Sequence, residues 1–275
     1  MGLIAPPTYI APPSVTGHRF GLFSVAAMPD DDGRWDLGIE YEPLQGGAAD
    51  LRASECVDDY TGTVEPPAMT EPVEGIPFVV VGGYICKATS RPVAEAEERA
   101  RLALTAGEER AVEQALMSAA VGNAPAFPDA EVVTAAAASL TDAFAALEEA
   151  TAINYHSSGV IHLPRSLSPY AYRNSLIERQ GQHLETIVGT HVAAGAGYDV
   201  ENVGPDGTPA PEGQRWVYAT GAVSIRRGTV FIQPDPDHYL DKANNDVVVL
   251  AQRDYLVTFS GDVYAALVDV TEFES

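Results

Sequence analysis

Six histidines, His18, His156, His162, His183, His191 and His238, are the side chains best suited to acid–base or metal chemistry in this sequence. None forms the i, i+4 pair of a zinc-binding helix, and no carboxylate stands at a recognised metal-site spacing from them. His162 and His191 lie in strand-like stretches. Gathered with an acid in one deep pocket they would suit a hydrolase; singly, each reads as a satisfied core or surface histidine. Tyr155-His156-Ser157-Ser158-Gly159 sets a serine beside a histidine but lacks the Gly-x-Ser-x-Gly turn that exposes a nucleophile, and it reads as a turn before a strand. Gly195-Ala196-Gly197 follows a strand without a third glycine or a following helix, so a phosphate cradle fails on context. Asp235, Asp237 and Asp241 do not have calcium-loop spacing. Glu108-Glu109 and Glu148-Glu149 read as solvated helix faces. The residues therefore point to no enzyme, no cofactor and no metal, and favour a structural or binding role.

The elements that would carry such a role centre on Arg91 to Met117, the longest helical signal. Ser90 precedes it, Pro92 fits its first turn, and Glu95, Glu97 and Glu98 load its N-terminal end with negative charge. Ala96, Ala100, Ala103, Leu104, Ala111, Ala115 and Leu116 form an apolar stripe on a helix roughly 37 Å long. Gly107 in its middle costs about 1 kcal/mol against alanine and predicts a bend or a tight crossing.

Ahead of this helix, two Pro-Pro pairs in Met1 to Pro13 predict an extended arm that packs on something else through Ile4, Tyr9 and Ile10. Phe20 to Ala26 reads as a short strand. Trp35, Leu37, Ile39 and Tyr41 alternate with charged or small residues and predict a half-buried antiparallel strand. Glu42 to Pro77 is too long for an ordinary connection and reads as a projecting hairpin or a wrapping arm, followed by an apolar strand over Phe78 to Ile85. Beyond the helix, Ser139 caps a second one that carries Leu140, Phe144 and Leu147. A strand at Val160 to Leu163 follows, then a helix opened by Ser168-Pro169 and stopped by Gly181, and a strand over Leu184 to Ala194. Gly195 to Gln214 reads as a flexible surface loop. The remainder is strand signal: Trp216 to Ala219, Ala222 to Ile225, Val230 to Gln233, Val247 to Ala251, Tyr255 to Phe259 and Tyr264 to Val268. The fold class is α+β.

Composition narrows the partners. The 275 residues include 39 acids against 16 bases, a net charge of −23 that argues against binding nucleic acid or anionic membranes. Two cysteines, Cys56 and Cys86, make no disulfide framework, and neither a signal peptide nor an apolar run long enough to span a bilayer is visible. The expectation is a soluble protein folded in a reducing cytoplasm.

The order of strand, long loop, strand and long helix resembles the Hong Kong 97-type fold of tailed-bacteriophage major capsid proteins, shared with encapsulin shells. LETIVGTHVA (Leu184 to Ala193) is similar to the family's leucine followed by a small, glycine-containing strand, and NDVVVLAQR with VYAALV (Asn245 to Arg253, Val263 to Val268) to its closing segment. The resemblance implies an arm over 1–25, an extended loop with flanking strands over 26–90, a spine helix over 91–120, an axial domain over 121–213 and a peripheral sheet over 214–275. It implies a structural subunit that self-assembles into pentamers and hexamers of an icosahedral capsid around packaged DNA. Such a subunit is assembled in the host cytoplasm and located in the virion, with decoration, scaffold or portal proteins as further partners. Expected interface residues are Ile4, Tyr9, Ile10, Trp35, Leu37, Ile39 and Tyr41, with Arg99, Arg101, Arg226 and Arg227 available to acids on neighbours. No charged helical scaffolding segment precedes the arm, so a scaffold is expected to be separate or unnecessary. The only lysines are Lys87 and Lys242, outside the loop, so a loop-lysine cross-link is not expected despite Asn244 and Asn245. An encapsulin-like compartment, another head or tail component, and an α+β hydrolase are the alternatives.

Overall fold

The computed structural model describes residues 17–29, 34–43, 71–87, 93–155 and 157–271. Ile4, Tyr9, Ile10, Cys56, Ser90, Pro92, His156 and most of the 42–77 segment lie outside the described residues. In chain order the elements are a 3-10 turn at Leu22–Ser24, β1 (Ile39–Tyr41), β2 (Val73–Gly75), β3 (Phe78–Lys87) and α1 (Val93–Ser118). After a 3-10 turn at Phe127–Asp129 come β4 (Glu131–Val132), α2 (Leu140–Asn154), β5 (Val160–Pro164), α3 (Ser168–Arg173), β6 (Ile177–Gln180), β7 (His183–Thr186) and β8 (His191–Gly195). A further 3-10 turn at Gly197–Asp199 leads to β9 (Gln214–Thr220), β10 (Val223–Arg227), β11 (Phe231–Gln233), β12 (Leu240–Asp241), β13 (Asp246–Phe259) and β14 (Tyr264–Asp269).

Two sheets and one long helix organise these elements. In the first sheet, β13 pairs antiparallel with β3 along one edge and with β12, β11 and β10 in succession along the other. The second runs β4-β14-β9-β5-β8-β7-β6, with parallel pairs at β4/β14 and β5/β8. Helix α1 lies on the first sheet and buries Ala96, Ala100, Leu104, Val112 and Leu116. The crossing is close because β3 offers a glycine: a Cβ at Gly82 would run into the backbone of Leu104. Helix α2 covers the opposite side of the second sheet with Leu140, Ala143, Phe144 and Leu147. Its first turn is capped as expected, the Ser139 hydroxyl accepting the Asp142 N–H at 3.2 Å.

Several local expectations give way to tertiary structure. Phe20 to Ala26 is no strand, because Phe20 adopts φ 66° and the Leu22 and Phe23 amides bond to carboxylates of α1. The Trp35 to Tyr41 strand shrinks to β1. Gly38 turns at φ 95°, so Trp35 is buried while Leu37 is 91% exposed, and the alternation is not realised. Leu184 to Ala194 folds as the β7–β8 hairpin, turned at Gly189 (φ 91°). Gly181 turns β6 into β7, whereas α3 already ends at Arg173. The two late strands at Val247 and Tyr255 are one, since the polar bridge Gln252 to Asp254 pairs with Val81, Val80 and Val79. The loop after Gly195 is no loose surface excursion: Tyr198, Asn202 and Val203 are buried in it. Gly107 makes no tight crossing, for nothing lies within 4 Å of a Cβ built there.

Candidate functional site

The catalytic alternatives are answered by burial and partners. His162, on β5, is wholly buried. Its Nδ1 is 2.9 Å from the Tyr198 hydroxyl and its Nε2 2.9 Å from the Thr220 hydroxyl, with the Phe127 ring at 4.7 Å. Burial lowers its pKa to about 3, so it is a neutral core histidine. β5 and β8 are paired, yet the register sets His162 beside Ala193 and His191 beside Val160. His191 instead approaches His183, with ring centroids 5.7 Å apart, and Glu185, whose carboxylate is 3.5 Å from its Nδ1. No group of three or more potential metal ligands gathers among the described residues. Ser157 and Ser158 are exposed in the turn, and Gly159 is required because a Cβ would meet the Thr220 carbonyl. The glycines at 195 and 197 face no ligand. A Cβ on Gly195 would strike the Glu113 carboxylate at 2.5–2.6 Å, and one on Gly197 would strike the α1 backbone at Arg110.

Of the acids read as solvated faces, Glu149 is exposed, whereas Glu108, Glu109 and Glu148 are structural. Glu108 is 6% exposed; its Oε2 accepts from Arg253 and from the Tyr255 hydroxyl, each at 2.7 Å, and Arg227 stands 3.7 Å from Oε1. Glu148 accepts hydrogen bonds from the Thr186 and Thr190 hydroxyls, both at 2.6 Å, and holds the base of the β7–β8 hairpin. Glu113 accepts from the backbone of two separate segments, and burial raises its carboxyl to about 7. Helical periodicity could not reveal these roles, because the partners lie 38 to 147 residues away. The available signal was the clustering of Gly21, Gly195 and Gly197, the small residues that let Glu113 close in.

Apolar surface is exposed in two places. On the face of the first sheet turned away from α1, Val79, Val81 and Ile85 are 46%, 53% and 64% exposed. Across the register they face Asp254, Gln252 and Val248. Ile187 and Val188 project from the β7–β8 turn at 86% and 71%, with Tyr172 at 70% nearby. Of the other expected contact residues, Ile39 and Tyr41 are half-buried on β1, and the Tyr41 hydroxyl bonds the Phe259 carbonyl at 3.2 Å. Arg99 pairs with Glu95 at 3.3 Å and stacks on Tyr84, Arg101 is exposed on α1, and Arg226 is half-buried on β10. No described helix is long and apolar enough to cross a membrane.

Comparison by sequence finds no matching family model and no matching curated protein. Comparison of folds is informative. The chain is similar to the capsid of a native GTA particle, with a TM-score of 0.55 at 12% identity over 97% of this chain and 96% of that one. It is similar to a chain of Microbacterium phage Oxtober96 (TM-score 0.54, 11% identity, 97% and 96% covered). The SrpI encapsulin of Synechococcus elongatus also matches (TM-score 0.53, 12% identity, 97% and 94% covered). The chain has the Hong Kong 97-type α+β fold, the fold of tailed-phage capsids and encapsulin shells.

Proposed function

We propose that the chain is the structural subunit of an icosahedral phage capsid and assembles with copies of itself into pentamers and hexamers around a DNA genome. The observation that carries this reading is the match to a capsid fold over 97% of the chain. Under it, the seven-stranded sheet with α2 and α3 is the axial unit, and the five-stranded sheet with α1 is the peripheral one. Residues 214–275 then serve both, β9 and β14 in the first and β10 to β13 in the second. The Val79–Val81–Ile85 face and the Ile187–Val188 turn are the surfaces offered to neighbouring copies, as apolar area of this kind is covered when subunits meet. Arg101, exposed on α1, is assigned to pairing with acids of a neighbour. The charge of −23 suits an inner wall that does not grip DNA. The role is non-enzymatic and the mature location is the virion; scaffold, portal or decoration proteins would join the same assembly.

Size-exclusion chromatography with electron microscopy of the purified chain tests the reading. Closed shells or discrete pentamers and hexamers are expected. A compact monomer with no segment open to limited proteolysis would overturn it. The encapsulin likeness supports a second reading, a compartment enclosing protein, which shells isolated with protein cargo and no DNA would establish.

A further inference from the structure

Glu113 is 1% exposed at the point where three parts of the chain meet. Its Oε1 accepts the Leu22 N–H at 3.0 Å, from the segment leading out of the chain's first residues. Its Oε2 accepts the Gly197 N–H at 2.9 Å, from the turn after β8. One helical turn earlier on α1, Glu109 accepts the Phe23 N–H at 3.0 Å. The same segment is tied to the second sheet where the Phe20 carbonyl accepts the Ala194 N–H at 2.6 Å, and Arg165 donates to the carbonyls of Arg19 (3.1 Å) and Ala194 (3.2 Å). Residues 19–23 are thus held largely through their backbone, and two carboxylates of one helix supply three of the acceptor contacts to this junction. A carboxylate can accept at both oxygens, whereas a carboxylic acid carries a proton on one of them and presents a donor there.

We propose that Glu113, with Glu109, is a proton-operated latch: ionised, it pins the Gly21–Ser24 segment to α1 and to the Gly197 turn together, and protonated, it releases one of the two. The charged and titratable groups facing the pair are Glu108 from α1, His18 and Arg19 from the N-terminal segment, Arg165 from the turn after β5, Arg179 from β6, and Tyr198 from the turn after β8. Tyr198 is turned onto His162 by its own hydrogen bond. Burial, more than the repulsion of Glu109, raises the Glu113 carboxyl to about 7 against the opposing pull of its two N–H donors. Burial likewise raises that of Glu109. While the carboxyl stays buried, losing one N–H donor raises its proton affinity further, so proton uptake near neutrality favours the released arrangement. The consequence for arm placement rests on the capsid reading, but the latch belongs to the single chain and is tested there.

The test is hydrogen exchange of peptides covering 20–25 and 195–200 in the unassembled full chain, corrected for the intrinsic pH dependence of exchange. Protection in one of these peptides should fall about tenfold between roughly pH 8 and pH 5.5, the scale of a charge-assisted hydrogen bond lost. Glu113→Gln should hold that lower protection at both pH values while peptides of α2 and β5 are unchanged. Flat protection in the wild type, or a wild-type pH response in E113Q, would overturn the proposal. Should E113Q not fold, a carbon-13 titration of the Glu113 carboxyl in the wild type decides. A midpoint near 7 accompanying the loss of protection supports the latch, and one below about pH 5.5 overturns it. Failure of the chain to assemble would bear on the capsid reading and leave this result standing.

Discussion

The contact between β3 and α1 can be tested with one methyl group. A Cβ at Gly82 would lie 2.6 Å from the Leu104 Cα and 2.8 Å from its Cβ, and closer still to its backbone nitrogen. Ordinary contact begins near 3.4 Å, so Gly82→Ala forces the helix outward by roughly 1 Å at the crossing. Backbone atoms cannot rotate aside, and a gap of that size forfeits about a quarter to a half of each neighbouring dispersion contact. The small side chains Ala96 and Ala100 cannot refill the space. The expected cost is about 3 kcal/mol, the upper end for overpacking. Gly107→Ala is the internal control on the same helix. Nothing lies within 4 Å of its Cβ, so reduced freedom of the unfolded chain should stabilise the protein by about 0.5–1 kcal/mol. Urea unfolding of the unassembled chain reads both substitutions. If Gly82→Ala falls within about 0.5 kcal/mol of wild type, or if both changes act with the same sign, the close crossing does not set stability.

Four further outcomes are expected. Glu108→Ala strands the part-buried Arg253 guanidinium and the buried Tyr255 hydroxyl and should cost about 3 kcal/mol in urea unfolding. Arg227→Ala, at 3.7 Å and 42% exposed, should cost less than about 1 kcal/mol. Replacing Val81 and Ile85 together by lysine should leave the melting temperature of the subunit nearly unchanged and abolish shell formation by light scattering; unimpaired assembly would show that this face stays open to solvent. His162 is held at about 3 when folded and returns to 6.5 when unfolded, so the unfolded chain binds more protons between those values. Its stabilising contribution is therefore present above about pH 6.5 and is lost as pH falls toward 3. For global unfolding, which wets its carboxyl, Glu113 has the opposite sign: between 4.5 and about 7 the folded chain binds more protons, and its contribution declines as pH rises through that window, unlike the local release in which the carboxyl stays buried. His162→Asn should accordingly flatten the acid side of the melting-temperature profile relative to wild type.

The sequence disclosed what is local and periodic. The α1 stripe, the Ser139 cap and the apolar run of β5 follow from rules that act within one or two turns, and each is found near its expected place. The order of these elements was enough to suggest the fold. What stayed hidden depends on distant partners. Leu37 continues an alternation in sequence, but Gly38 turns the chain before a strand can form. Glu108 and Glu148 look like any exposed helical acid until Arg253, Tyr255, Thr186 and Thr190 arrive from elsewhere in the chain. The apolar run of β3 predicts a strand, but such a run does not declare which of its two faces has a partner, and Val79 and Val81 are exposed.

Helix α1 shows why small and acidic residues occur together in this protein. Its alanines and the glycines facing it bring backbones close, at Gly82 on one side and Gly197 on another. Close approach also brings backbone N–H groups that no strand or helix satisfies, and an unpaired buried donor is costly. Glu109 and Glu113 meet that need at Phe23, Leu22 and Gly197, while Glu108 does the same for Arg253 and Tyr255. The two features are linked: alanine at 113 would leave two buried amides without acceptors, and a larger residue at 195 or 197 would leave the carboxylate no room. The helix packs on both sheets through one apolar cluster, which includes Val249 of the first and Val160 and Tyr218 of the second, and its carboxylates add polar contacts at a few points. The contacts made by Glu113 are the ones in this junction that a single proton can change.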